Sequence, residues 1–264
     1  MNIFYIQIVF FLLSVSVYLN NKTLATELAP GKATTSNLTN RYSTPEEIFE
    51  ENKHLLCTDF NETINAGKFM NEAVLNIIYH AMHGNDYKPF KTKYGSSKVS
   101  YKKKQGRTEI VKVYYSVEDS NAYNELINDI WDPNTPNTFN TGTVKIVRVY
   151  NPNLVMVQQR YKKDSKGHQK YFYALAKKVE ISDDATVIVM ASANINDYNP
   201  YNKENKNAII ENAKLFKTNV DPENDIKNGK LKKVFVNIAG YFIQKFGRRV
   251  DLAYIESIDG HSSF

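Results

Sequence analysis

Four strand-length runs decide the fold: TVKIVRVY (143–150), LVMVQQRY (154–161), KYFYALAKKVE (170–180) and TVIVMAS (186–192). The connections between them are too short to hold a crossover helix, so adjacent runs are expected to pair antiparallel. A short helix pattern, SNAYNELINDI (120–130), leads into WDPN (131–134) just before the first run. The sequence therefore predicts an α+β domain built on a curved antiparallel meander that can enclose an apolar cavity.

The first residues are typical of a secretory signal. Residues 3–19 are apolar and carry no charge, and Thr23 and Ala25 fit a small-x-small cleavage site. The apolar run is short for a membrane-spanning helix of about 20 residues, although an uncleaved anchor is the alternative. The predicted organisation is a signal peptide over 1–25, a linker with a short helix over 26–60, and one domain over 61–264.

Composition excludes several classes of protein. Cys57 is the only cysteine, so an intrachain disulfide is impossible. The net charge of +6 is mild, and the basic side chains concentrate in 91–104 and 160–170. Such runs indicate either solvated strand ends or attraction to an anionic lipid surface. Nucleic acid is not an expected partner, because no recognition-helix or RNP-type pattern occurs.

No motif indicates an enzyme. The sequence contains no G-x-S-x-G, H-E-x-x-H or P-loop pattern. His80 and His83 are three residues apart, which a metal could use, but no third ligand lies nearby and a helix surface pair is the favoured interpretation. We therefore expect no catalytic residue, no metal and no cofactor.

The remaining periodicity predicts helices and hairpins around the meander. Thr44, Pro45 and Glu47 are typical of a helix start, and the helix should cover 45–55. Apolar residues at three- and four-residue steps predict a long amphipathic helix over 66–83. Hairpins are expected at 98–117 and at 231–258, the second turning at Gly247, while 207–216 is either a helix or an irregular insertion.

Several phrases of the sequence resemble one family. WDPN, the segment NTGTVKIVRVYNPNLVMVQQRY (140–161), the closing IESIDGH (255–261) and the opening 27 residues are similar to the fam-a (PYST-A subtelomeric) proteins of rodent malaria parasites. Those proteins resemble START lipid-transfer domains. The resemblance implies a helix-grip fold with a lipid tunnel, transfer of phospholipid, especially phosphatidylcholine, during transient peripheral contact with membranes, and export to the parasitophorous vacuole or the host erythrocyte.

The sequence departs from the START pattern at three places. Pro136 and Asn140 stand where phosphatidylcholine-binding START domains place an arginine and an aspartate, so that charge pair is absent. The loop RYKKDSKGHQK (160–170) is polar where many START domains have an apolar lid. START domains continue beyond the position of Phe264 with the long gripped helix. We therefore expect a C-terminally incomplete domain; alternatively, the first amphipathic helix serves as a substitute cover.

Alternation along the strands predicts the wall of the cavity. Val155, Val157 and Gln159 form the more apolar face of their run and are expected to point inward. Arg148 shares an otherwise apolar face with its neighbours and is the candidate phosphate anchor, since a guanidinium binds phosphate in a bidentate way. The alternative is that Arg148 faces solvent.

Aromatic residues complete the expected site. Trp131, the only tryptophan, is either an aromatic neighbour for a choline ammonium or a plug between helix and sheet. Tyr173 and Tyr254 are assigned to the wall, because tyrosine has an apolar body and a polar tip. The expected function is phospholipid transfer by a secreted START-like protein. The rival is a non-catalytic interaction protein that keeps the scaffold without the cargo; the oligomeric state is not predicted.

Overall fold

The computed structural model describes residues 43–83, 86–89, 99–105, 108–133, 135, 141–201 and 206–261. The predicted signal segment, the first part of the predicted linker, Pro136 and Asn140 lie outside these ranges. Within them, no helix is both long and apolar enough to cross a bilayer.

Four α-helices occur in the described ranges. They are α1 (Pro45–Glu51), α2 (Phe60–Met82), α3 (Tyr123–Trp131) and α4 (Asn224–Lys227), with 3₁₀ turns at Lys53–Leu55, Ser120–Ala122 and Glu211–Leu215. The Thr44–Glu47 capping box starts α1 as predicted, but the helix ends at Glu51. Asp59 caps α2, which therefore begins six residues before the predicted start. The segment 207–216 holds only a 3₁₀ turn.

The strands form one large sheet and a small one. They are β1 (Lys88–Pro89), β2 (Val99–Gln105), β3 (Thr108–Val117), β4 (Thr143–Asn151), β5 (Leu154–Arg160), β6 (Lys170–Ser182), β7 (Ala185–Ala191), β8 (Asn194–Asn196), β9 (Lys217–Asn219), β10 (Lys232–Lys233), β11 (Phe235–Phe246) and β12 (Arg249–Asp259). The large sheet has the order β1-β2-β3-β12-β11-β7-β6-β5-β4, with β10 parallel to β6. The predicted meander is β4 to β7, and both predicted hairpins are present. The mostly antiparallel sheet with few helices confirms the α+β prediction.

Helix α2 covers one face of the sheet. Its apolar stripe is fully buried and includes Phe69, Met70, Val74, Ile77 and Ile78. These residues belong to one cluster with β6, β7, β11 and β12. Ten buried residues on one helix give α2 a large share of the apolar burial that stabilises the domain.

Helices α1 and α3 cover part of the opposite face. Ile48 of α1 and Tyr123, Ile127 and Trp131 of α3 pack in one cluster with β4, β5, β7, β11 and β12. The chain after α1 runs along the sheet, where the backbone N–H of Cys57 donates to the carbonyl of Val149 at 2.8 Å. The residues from 45 to 57, expected to be a linker, are therefore packed onto the domain.

A buried lysine closes the end of α2. Nζ of Lys112 in β3 donates to the carbonyls of His80 at 2.9 Å and His83 at 2.6 Å. These carbonyls lie at the end of the helix, where no backbone N–H of the helix is available to donate to them. Burial, with the charges of Lys103 and Lys112, lowers the pKa of His80 to about 4. The Nδ1 atom of His80 lies 3.0 Å from the hydroxyl of Tyr87. His80 is 1% exposed, so the interpretation of His80 and His83 as a pair on the helix surface is wrong for His80.

We expect His80 to make the fold sensitive to mild acid. Its folded-state pKa lies below its unfolded value of 6.5, so its contribution to stability is complete above that value and is lost as the pH falls toward 4. Between pH 7 and pH 5 the difference in free energy of unfolding between the wild type and His80→Gln should change by about 2 kcal/mol. Urea denaturation at the two pH values measures this. An unchanged difference would contradict the buried neutral imidazole.

Candidate functional site: an apolar cavity beside Trp131

A small apolar cavity lies between the sheet and the ends of α1 and α3. Its volume is about 90 Å³. The helix side is formed by Ile48 and by residues from Ile130 to Pro133, with Thr135 beyond them. The sheet side is formed by Val144, Ile146, Val155, Val157, Gln159, Ala176, Ile188, Val189, Met190, Ala239, Gly240 and Tyr241.

Strand β5 presents the predicted face to this cavity. Val155, Val157 and Gln159 line it, while Met156 lies in the cluster under α2. Gln158 also points away from the cavity, and its Nε2 donates to Glu223 at 2.8 Å. The simple alternation of β5 therefore places the residues as the sequence predicted.

Strand β4 does not keep its alternation. Val144 and Ile146 line the cavity, but the pairing with β5 shifts register between Ile146 and Arg148. Such a bulge adds one residue to a strand and reverses the faces beyond it. Arg148 consequently lies on the other face of the sheet from the cavity, contrary to the expected orientation.

Arg148 is held by an acidic partner at the start of α2. Its Nη1 donates to Glu62 at 2.7 Å and also to the hydroxyl of Thr218, and Nη2 donates to the carbonyl of Asn219 at 2.9 Å. The hydroxyl of Tyr150 donates to the same carboxylate at 2.6 Å. Arg148 therefore connects β4 to α2 and β9, and a guanidinium so engaged is not presented to a ligand in the cavity.

The two tyrosines assigned to the wall have different positions. Tyr173 faces α2, where its hydroxyl accepts from Nε2 of Gln158 at 2.5 Å. Tyr254 is on the cavity side of the sheet but lies behind Tyr241, with ring centroids 4.8 Å apart. It is fully buried and donates to Glu256 at 2.8 Å. Among the tyrosines that the structure describes, the one that lines the cavity is Tyr241, which the sequence analysis did not select.

Trp131 packs between α3 and the sheet, as one of the two interpretations expected, and the choline role stays a prediction. Trp131 is 7% exposed and lines the cavity. The backbone N–H of Asp132 donates to the carbonyl of Asn128 at 2.9 Å, and Pro133 follows, so the helix ends there. The indole Nε1 is buried and has no hydrogen-bond partner in the part of the chain that the structure describes. A buried N–H beside an apolar cavity is a free donor for a ligand oxygen.

Gly240 lets the cavity floor form. A Cβ atom at this position would lie 2.3 Å from the carbonyl oxygen of Ile188 on the neighbouring strand β7. No side chain fits at that distance, so the two strands approach closely at the cavity only because residue 240 is glycine. A glycine within an otherwise apolar strand is the sequence signal that points to this place.

Nothing in the described ranges forms a metal centre. No group of three or more histidine, cysteine, aspartate or glutamate side chains there has a geometry suited to an ion. The polar lining residues are Asp132, Thr135 and Gln159, at the edge of a mostly apolar wall. The site is therefore suited to holding an apolar group and a few polar atoms.

Comparison with known proteins shows the class of fold. Human StAR-related lipid transfer protein 5 superposes with a TM-score of 0.52 at 10% identity, covering 74% of this chain and 82% of that chain. Human STARD10 gives a TM-score of 0.46 at 10% identity, covering 72% of this chain and 68% of that chain. The chain thus has a START-like helix-grip fold. No protein-family profile matches the sequence, and no curated protein matches it.

Two substitutions at Trp131 separate the contribution of the aromatic ring to stability from that of the indole N–H. Trp131→Phe removes a donor without a partner, so the desolvation penalty it relieves offsets the lost ring area. We expect the free energy of unfolding to change by less than about 1.5 kcal/mol, whereas Trp131→Ala should cost about 3–5 kcal/mol. Urea denaturation followed by circular dichroism measures both. Equal losses in the two variants would show that the N–H is satisfied.

Arg148 should matter for stability. Arg148→Ala leaves Glu62 with two neutral donors, and because both side chains are mostly buried, at 24% and 12% exposure, we expect a loss of about 1–3 kcal/mol. Lys53→Ala is the control, since the Lys53–Glu50 pair is exposed and should contribute less than about 1 kcal/mol. Thermal and urea unfolding of the two variants test the difference, which would vanish if Arg148 were solvated.

Proposed function

We propose that this protein binds the apolar part of a lipid in the cavity beside Trp131 and carries the lipid between membranes without covalent chemistry. The observation that supports this most directly is the apolar wall of β4, β5, β7 and β11, with a free indole N–H at its edge. A lipid carrier needs such a wall and one or two polar anchors. The site has to keep the lipid tails from water only as well as the bilayer does, because transfer starts and ends in a bilayer.

The volume implies that the site opens when it is loaded. About 90 Å³ is roughly the space of three water molecules, and a phospholipid tail is much larger. Helix α1 is the part that is easiest to displace, because only Pro45 and Ile48 of the helix are buried. Full burial of one isoleucine is worth about 1.5–3 kcal/mol, which contact with a membrane can offset. Displacing α1 exposes the wall, while α2 stays in place on the other face.

The identity of the lipid is inferred from one aromatic side chain and from the family resemblance. We propose phosphatidylcholine, because Trp131 offers an aromatic face for a choline ammonium and because the sequence resembles the fam-a proteins. The printed name of human StAR-related lipid transfer protein 5 describes lipid transfer, which is consistent with a lipid as the partner. The proposed setting is secretion and export into the vacuole or host cell, as the opening residues suggest, with transient binding to a membrane surface.

One observation favours a second function. Beyond Met190 and Ala239 the same face of the sheet is filled by a cluster of its own side chains, including Tyr161, Phe172 and Ile258. This filling keeps the cavity small. A non-catalytic protein that uses the START scaffold to contact a host partner, without lipid cargo, needs no larger space.

A cavity-filling variant tests the first function. Ala176 lines the cavity and is partly buried, so Ala176→Phe should occupy the space of the ligand. We expect at least a tenfold slower transfer of fluorescent phosphatidylcholine between vesicles. Ala208→Phe, at an exposed alanine outside the cavity, is the matched control and should transfer at the wild-type rate. Wild-type transfer no faster than the protein-free blank would instead favour the scaffold function.

A further inference from the structure

A second, basic cleft lies at the end of the sheet where β6 begins and β12 ends. Its volume is about 850 Å³. One wall is the β5–β6 connection from Tyr161 to Lys170, and the other is the segment from Gly229 to Lys233. Tyr201 and His261 border it. The cleft shares no lining residue with the apolar cavity.

Three of the five lysines that line the cleft are unpaired among the residues that the structure describes, whereas Nζ of Lys170 donates to the carbonyl of Gly260 at 2.7 Å and Lys233 pairs with Asp197. Lys162, Lys230 and Lys232 are exposed, and none of them forms an ion pair with any residue that the structure describes. The parallel pairing of β10 with β6 places Lys232 directly beside Lys170. Like charges on neighbouring strands repel, so folding gains nothing from this arrangement. A bound anion would remove the repulsion.

The acidic groups near the cleft have other partners. Asp164 accepts the backbone N–H groups of Lys166 at 2.9 Å and His168 at 2.8 Å. Asp197 is fully buried and pairs with Lys233 at 3.0 Å. Asp197 offsets the charge of Lys233, and the charges of Lys162, Lys170, Lys230 and Lys232 outnumber that of Asp164 on the walls of the cleft.

The rim of the cleft is held in a fixed shape. The hydroxyl of Tyr171 donates to Asp197 at 2.9 Å, and Nδ2 of Asn199 donates to the same hydroxyl at 2.9 Å. Between Asp197 and Asn199 in the sequence, Tyr198 has a left-handed φ of 56° that is costly for a tyrosine. Tyr201, which borders the cleft, is 78% exposed. An exposed tyrosine beside lysines suits a ligand that is polar, anionic and in part apolar.

We propose that this cleft binds a ligand carrying two or more phosphate groups. Lysine ammonium groups bind phosphates as point charges, and several of them around one concave surface favour more than one phosphate. The phosphates can belong to a lipid head group or to a free polyphosphate. The proposal does not rest on lipid carriage in the apolar cavity, because the two sites are built from different residues.

Two triple variants test the cleft. The cleft variant carries Lys162→Gln, Lys230→Gln and Lys232→Gln. The control carries the same change at three exposed lysines elsewhere, Lys68, Lys104 and Lys217. The probes are inositol hexakisphosphate, measured by calorimetry, and phosphatidylcholine vesicles with or without about 5 mol% phosphatidylinositol bisphosphate, measured by flotation. A basic side chain near an anionic surface contributes about 1 kcal/mol, so affinity should fall about 100-fold in the cleft variant.

Each outcome decides the proposal. Binding of both probes, lost in the cleft variant and within threefold of wild type in the control, assigns the site to a phosphorylated head group. Binding of the soluble probe alone, with the same pattern, assigns it to a free polyphosphate. Absence of binding to either probe, or equal weakening in both variants, overturns the proposal. Ala176→Phe should bind both probes as the wild type does, even if lipid transfer fails.

Discussion

Burial of the central strands on both faces is the constraint on which the rest of the structure depends. Helix α2 packs against one face, and α1 with α3 packs against part of the other. Strand β5 is therefore buried at six of its seven residues, without the apolar–polar alternation of a half-exposed strand. The buried stripe of α2 packs against its face of the sheet, and the apolar cavity lies on the opposite side.

Helices α1 and α2 differ in how firmly they are held, because they bury different numbers of side chains. Helix α2 is fixed by its long apolar stripe and by hydrogen bonds at both ends. Glu62 accepts from Arg148 of β4 and Thr218 of β9, and Lys112 donates to a carbonyl of the last turn. Helix α1 has seven residues and buries two. The sheet and α2 thus form a stable scaffold, while the cover over the cavity is held by few contacts. A lipid carrier needs both a stable scaffold and a cover that can open. The same structure is also compatible with a protein that binds a partner without lipid.

The order of elements could be predicted from the sequence, because short connections and alternation leave few ways to pair consecutive strands. The inward face of β5 was also predictable. The face of Arg148 was not, since a bulge changes the phase of a strand without any mark such as a glycine. The roles of Ile48 and Tyr241 were missed because they depend on contacts between residues far apart in the sequence. Gly240 was visible as a glycine in an apolar strand, but its close neighbour Ile188 became apparent only from the pairing of β7 with β11.

The position of the single indole has a practical consequence. Because the chain contains one tryptophan and that residue lines the apolar cavity, tryptophan emission, excited at a wavelength that the tyrosines hardly absorb, originates at the site itself. Water entering beside Trp131, or a hydrocarbon chain displacing it, would shift the wavelength of that emission in opposite directions. Intrinsic tryptophan fluorescence thus reports whether the cavity is empty, hydrated or occupied by a ligand.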